Sequence, residues 1–237
     1  MYSVLQNLRY GARVFSRAPG FSAAALLALA LGMGATTAIF SVVDAVLWKP
    51  LPFRDPARLL VIWEKNPALN RFRMFVAPAN YRAWQESRTL DATAAVLSTR
   101  LNLTSGPRGH LVPEELKVER VSASLFRLLG VLPTLGRSFG DAEDQPGHSN
   151  YALVSHNLWE RRLGADRSIA GRAIQLGNRS YTLVGVLPRG FSVLDPEVDV
   201  WLPLGFNFND ARAAAGRNLV VIARLLKGAH RNRPGPR

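Results

Sequence analysis

The sequence predicts an α+β protein: one N-terminal transmembrane helix followed by an extracytoplasmic mixed α/β core domain of short strands and short helices. Two observations carry that expectation. From Phe21 to Trp48 no charged residue occurs before Asp44, and no proline occurs at all. After Pro50-Leu51-Pro52, short β-branched and aromatic runs alternate with short helical patterns, punctuated by Gly and Pro.

A helix rising ~1.5 Å per residue crosses a hydrocarbon core of ~30 Å with about 20 residues, so Phe21–Trp48 is long enough to span a bilayer. Its apolar positions run right round the helical wheel, whereas a soluble surface helix shows one stripe. Arg flanks and length favour a span over a buried core helix. A cleaved signal peptide would have an apolar run of about 7–15 residues ending in a small-x-small site. Here the run is longer and leads into Asp44-Ala45-Val46-Leu47-Trp48.

Ahead of the span, Leu5, Leu8, Ala12 and Phe15 recur at helical spacing while Arg9, Arg13 and Arg17 repeat every fourth residue. This is either an interfacial helix with its guanidinium groups towards membrane lipid phosphates, or a plain basic flank. Pro19-Gly20 separates it from the span. Lys49, Arg54 and Arg58 balance the three N-terminal arginines, so the positive-inside count is nearly even. The short basic arm and the free amino group place the N-terminus in the cytoplasm and the core outside it.

Within the span Ala24, Ala28 and Gly32 form one small-residue row, and Ala30, Gly34 and Ala38 a second. Small residues let backbones approach closely in lipid, so both rows read as docking faces for other membrane helices. Thr36, Thr37 and Ser41 add candidate interhelical hydrogen bonds. Asp44 belongs at headgroup level.

Further along, Leu59–Trp63 reads as a buried strand. Pro78 opens a helix with Tyr81 and Trp84 on one side. Ala94–Thr104, Leu116–Val121 and Leu219–Leu226 read as strands, and Ile174–Gly177 with Ser180–Val186 as a hairpin turning at Gly177-Asn178. Ser122–Gly130 and Ser155–Gly164 echo one another: each reads as a serine-capped helix of about two turns, stopped by Gly and followed by a Gly-Arg pair, Gly136-Arg137 or Gly171-Arg172. Duplication and reuse of good capping chemistry both account for the echo.

The motifs exclude more chemistry than they suggest. Gly130–Gly136 before Arg137-Ser138 fails as a phosphate loop in spacing, in the missing Lys, and because Gly130 ends a helix, whose carbonyl end repels phosphate. Asp141, Glu143 and Asp144 near His148, and Asp195, Glu197 and Asp199, read as solvated loops and not as metal sites. His110, His148, His156 and His230 form no metalloprotease pairing, and no nucleophile elbow occurs. No catalytic residue, cofactor or metal is expected. With no Cys, there is no disulfide framework and no thiol nucleophile.

The 237 residues carry a net charge of +13, from 30 Lys and Arg against 17 Asp and Glu. Seven of those cations (Arg212, Arg217, Arg224, Lys227, Arg231, Arg233 and Arg237) follow the last acid, Asp210, and read as a basic tail. The aromatics fall in apolar helix and strand contexts, so no nucleic acid partner is expected.

Several runs jointly resemble the MacB-like ABC transporter permeases, most of all the Acidobacteria-type duplicated permease family. They are Leu8–Phe15 with Pro19-Gly20-Phe21, Leu29–Val43, Lys49–Pro52, Val121-Ser122, Leu129-Gly130-Val131, Leu135–Phe139, Leu158–Arg162, Gly171-Arg172 and Tyr181–Pro188 with Gly190-Phe191. Thr36 stands where that pattern has Asn. The resemblance implies a cytoplasmic arm over residues 1–20, a membrane helix over 21–48 and a MacB-type periplasmic core over 49–227; the Arg/Pro tail over 228–237 departs from the family pattern.

It also implies an inner-membrane, non-enzymatic component. Its energy would come from a separate ABC nucleotide-binding subunit, its helix would pack with other permease helices, and its core would couple to a periplasmic partner protein. A stand-alone membrane-anchored interaction module is the alternative. A permease of this kind continues into further spans after the core, so the sequence reads as a truncated fragment with a disordered or out-of-frame end.

Overall fold

A computed structural model describes residues 19–43, 53–107, 109–208 and 216–228. They belong to two compact units divided after Pro52. The first contains α1, Pro19–Val43, with 25 residues. Its stretch Pro19–Ser41 is long and apolar enough to cross a membrane. Pro19 and Gly20 are helical, and the arm that they were expected to separate from the span lies outside the described residues. The hydroxyls of Thr36 and Thr37 donate to the carbonyls of Gly32 and Met33, at 2.8 and 2.7 Å. Their protons are thus spent within α1 and are not offered to a neighbouring helix.

The second unit runs in order β1 (Leu59–Ile62), β2 (Glu64–Asn66), β3 (Arg71–Met74), α2 (Pro78–Gln85), β4 (Leu90–Gly106) and β5 (Gly109–Val121). There follow α3 (Ser124–Leu129), β6 (Leu135–Gly136), β7 (Tyr151–Val154), α4 (His156–Arg161), β8 (Ala173–Leu176), β9 (Arg179–Val186), β10 (Val198–Pro203) and β11 (Val220–Leu225). The main sheet has the order β1-β11-β4-β5-β10-β7-β9-β6. It is mixed: β5–β10 and β7–β9 are parallel and the other pairs antiparallel. Because β8 pairs with both β9 and β4, the strands β4, β5, β10, β7, β9 and β8 close on themselves. Leu103, Leu116, Val154, Ile174, Leu183 and Val200 belong to one buried cluster served by this ring.

Alternation along the strands directs the other faces. Ala94, Val96 and Ile222 join the cluster of α3, with Leu125, Phe126 and Trp201. Their neighbours Ala95 and Val221 join that of α2, with Val76 and Tyr81. The strands β4 and β11 are therefore covered on both sides. β1 lies at the edge and is half-buried, pairing with β11 alone, so Leu59–Ile62 is not the buried strand expected over Leu59–Trp63. The hairpin of β8 and β9 is as expected, with Gly177 at φ 57°.

The two echoed helices differ in their caps. Ser155 Oγ accepts from Leu158 N at 3.0 Å, as the spacing anticipates. Ser122 does not cap α3: its Oγ accepts from Ala95 N at 2.9 Å, tying the strand end to β4. The N-terminal side of α3 is served instead by Asp144, whose Oδ2 accepts from Ala123 N at 2.9 Å. Both echoes return to β9. Gly171 N donates to Leu183 O and Arg137 N to Val184 O.

Candidate functional site

Asp195 and Glu197 lie in a partly exposed loop ahead of β10, as expected, but carboxylates of both acidic clusters are tied into the fold. Asp144 also accepts from Gly205 N at 3.0 Å, and Glu143 pairs with both terminal nitrogens of Arg137 at 2.9 and 2.5 Å. That guanidinium holds the Glu143 carboxyl below its ordinary value. Asp199 lies in β10, accepting from Ser155 Oγ at 2.6 Å and pairing with Arg161 at 3.0 Å. Lys117 binds Asp195 and Glu197 at 2.7 and 2.6 Å. These carboxylates are spent on tying loops, helices and strands together, and among the described residues no cluster of His, Asp and Glu is arranged to hold a metal ion. Arg161 and Arg162, at the end of α4, both pair with Glu114 of β5.

Two members of the expected basic tail are parts of the fold. Arg217 pairs with Glu64 at 2.9 Å. Arg224, in β11, is 4% exposed and donates to the carbonyls of Leu128, Arg54 and Asp55. Together with Arg54 N, which donates to Leu129 O at 2.9 Å, it satisfies carbonyls at the end of α3. A cation embedded in Val220-Val221-Ile222-Ala223-Arg224 is the signal in the sequence, since an arginine inside an apolar strand run needs buried acceptors.

The small-residue rows lie on α1. Ala24, Ala28, Gly32, Ala30, Gly34 and Ala38 are all exposed, and at about 100° per residue the two rows stand about 120° apart. A Cβ added at Gly32 or Gly34 meets nothing within 4 Å. Arg9, Arg13, Arg17, Asp44 and the tail after Gly228 lie outside the described residues.

In the core unit the hairpin of β2 and β3 carries an exposed apolar surface. Leu69 and Phe72 are 63% and 66% exposed, and Trp63 packs against Phe75 at its base with ring centroids 6.0 Å apart. Glu64 anchors that base, accepting from Ala77 N at 2.8 Å and Asn80 Nδ2 at 2.6 Å.

The arrangement offers packing faces, a projecting hairpin and interlocked ion pairs on a closed mixed sheet. Compared with protein families, the chain matches the MacB-like periplasmic core domain over residues 22–231. The chain belongs to this family. No curated protein matches it in sequence.

Among solved structures, the MacB-like core is similar to the periplasmic region of MacB from Actinobacillus actinomycetemcomitans. The identity is 9% and the TM-score 0.52, covering 73% of this chain and 75% of that one. It is similar to the extracellular domain of the noncanonic ABC-type transporter YknZ from Gram-positive bacteria at 13% identity and TM-score 0.50, covering 70% and 81%. A domain of a protein described as a permease from Porphyromonas gingivalis matches at 16% identity and TM-score 0.55, covering 75% and 79%. At such identities the likeness is one of fold. The α+β expectation, with an N-terminal apolar helix ahead of a MacB-like core, holds.

Proposed function

We propose that this chain is a membrane-anchored permease-family component of an ABC-type export or mechanotransmission system. It crosses the inner membrane once through α1, with its N-terminus in the cytoplasm and the MacB-like core in the periplasm. Under this reading it performs no catalysis itself: a separate nucleotide-binding subunit hydrolyses ATP, and the core passes motion to a periplasmic partner protein. The family match over residues 22–231 carries the reading. It is supported by the two small-residue faces of α1, which suit close packing against other permease helices, and by the exposed Leu69–Phe72 hairpin, an apolar surface available to a partner.

Co-purification tests the assembly. The full chain is expected to bring down a nucleotide-binding subunit from solubilised membranes, and replacing Ala28, Gly32 and Gly34 by leucine is expected to abolish the association while α1 still inserts. A chain that purifies alone, unchanged by those replacements, would instead fit a stand-alone interaction module. Orientation has its own readout. Protease added to spheroplasts is expected to degrade the segment after Lys49; complete protection of that segment would reverse the proposed topology.

A further inference from the structure

A cleft of about 820 Å³ opens in the core unit where the first residues after Pro52, the end of α3 and the end of β11 meet. Five cations line it, Arg54, Arg58, Arg127, Arg224 and Lys227, against the carboxylates Asp55 and Asp91. The cations fall into two tiers. Arg224 and Arg58 form a floor: Arg224 is directed at three backbone carbonyls, and Arg58 Nε donates to Leu225 O at 2.8 Å. Asp55 and Asp91 contact this floor at 3.4 to 3.8 Å, through Arg58 and Arg224. Since the main partners of Arg224 are neutral carbonyls, its buried charge is only partly offset and its field reaches the cleft.

The upper tier is available to a ligand. Arg54 and Lys227 are exposed and pair with no carboxylate among the described residues. Among the described residues Arg127 pairs only with Asp141, at 3.0 Å, both largely exposed, which is a weak surface pair. Arg54 is nevertheless held in position. Its backbone N–H is bonded to Leu129 O, and its stem lies where a side chain on Gly130 would otherwise sit, 2.7 Å from the place of that absent Cβ.

We propose that this cleft binds a phosphate-bearing anion, gripped by Arg54, Arg127 and Lys227 above the floor of Arg58 and Arg224. Cations converging from three separate segments suit a tetrahedral phosphate, which presents acceptors in several directions, better than a planar carboxylate with two oxygens. The volume lies in the range of small-molecule sites and admits a phosphate with its ester substituents. The chemistry is shared by a phospholipid headgroup and free phosphate. A lipid source is at hand, because Arg54 follows the end of the apolar helix α1 by eleven residues. The proposal does not depend on assembly with other subunits.

The full chain in a neutral detergent is titrated calorimetrically with dihexanoyl phosphatidylglycerol, dihexanoyl phosphatidylcholine, inorganic phosphate and hexaglutamate. Saturable binding of phosphatidylglycerol or inorganic phosphate is expected. The double variant Arg54→Gln/Lys227→Gln should weaken it by about tenfold or more, at an unchanged unfolding temperature. Arg100→Gln/Arg189→Gln removes the same charge from exposed ion pairs elsewhere and should change binding by less than about twofold. Binding of phosphatidylglycerol without inorganic phosphate identifies the lipid as the source, and comparable binding of both identifies the free anion. The proposal is overturned if neither probe binds, if phosphatidylcholine binds equally well, if both double variants weaken binding alike, or if hexaglutamate binds more tightly than the phosphate probes.

Discussion

Replacing Gly136 by alanine is expected to destabilise the core by about 3 kcal/mol or more, which for a domain of this size lowers its unfolding temperature by roughly 6–12 °C. Gly136 and Gly185 are register partners where β6 crosses β9. A Cβ at Gly136 would stand 2.1 Å from Val184 O and 2.8 Å from Gly185 Cα, and one at Gly185 would stand 2.5 Å from Leu135 O. These are backbone atoms, so no rotamer change relieves the contact. Relief requires β6 to lift away, which breaks the bond from Arg137 N to Val184 O at 2.9 Å and that from Thr134 N to Val186 O at 2.8 Å.

The φ of 75° adds a penalty of about 1–2 kcal/mol for any L side chain. Gly147 separates the two effects: it has φ 86° but nothing within 4 Å of an added Cβ. Thermal unfolding of Gly136→Ala beside Gly147→Ala is the measurement. If the two melt alike, the backbone contact at the crossing contributes nothing and the argument fails.

Glu119→Gln is expected to make the protein more stable at pH 8 and to remove part of its pH dependence. Glu119 is fully buried in β5, opposite Trp201 in β10, whose Nε1 donates to Glu119 Oε2 at 2.9 Å. Its other oxygen has no partner among the described residues. The neighbouring surface is aromatic: Phe191 packs on Trp201 at 5.4 Å and Phe126 on Phe191 at 5.9 Å. Burial there pushes the carboxyl from 4.5 up to about 7, the indole N–H opposing the shift and the charge of Asp195 adding to it.

Below pH 4.5 the group is protonated in both folded and unfolded chains and imposes no penalty. Between pH 4.5 and 7 the unfolded chain ionises while the folded chain resists, so stability falls as pH rises, and above 7 the loss is constant at about 3 kcal/mol. Glutamine mimics the protonated acid. The difference in unfolding free energy between variant and parent should therefore grow from pH 4.5 to 7 and then level off. Parallel pH profiles would show that Glu119 ionises in the fold at no cost.

Features built on neighbouring residues were legible. The span of α1, the helix opened by Pro78, the Gly177-Asn178 hairpin and the Ser155 cap each depend on contacts within a few residues. The site was far less so. β10 has the alternation of a strand at Val198-Asp199-Val200-Trp201, so Asp199 belongs to a strand and not to a loop, and is claimed by Ser155 and Arg161; Asp195 and Glu197, in the loop before β10, are claimed by Lys117. Ser122 has the spacing of a cap but serves β4, because the strand pairing brings Ala95 N within its reach.

The family membership, the apolar helix and the α+β character of the core were determined by the sequence itself, since periodicity, capping and turn chemistry are local and leave their marks residue by residue. Which cations belong to a core and which to a surface was decided only by the tertiary structure. Arg224 and Lys227 read alike in a basic stretch, three residues apart. Pairing β11 with β4 and packing it under α3 buries the first among carbonyls contributed by Arg54, Asp55 and Leu128. The second is left at the rim of the cleft. Burial is a property of segments brought together across more than a hundred residues of chain, and the charge of a single residue carries no record of it.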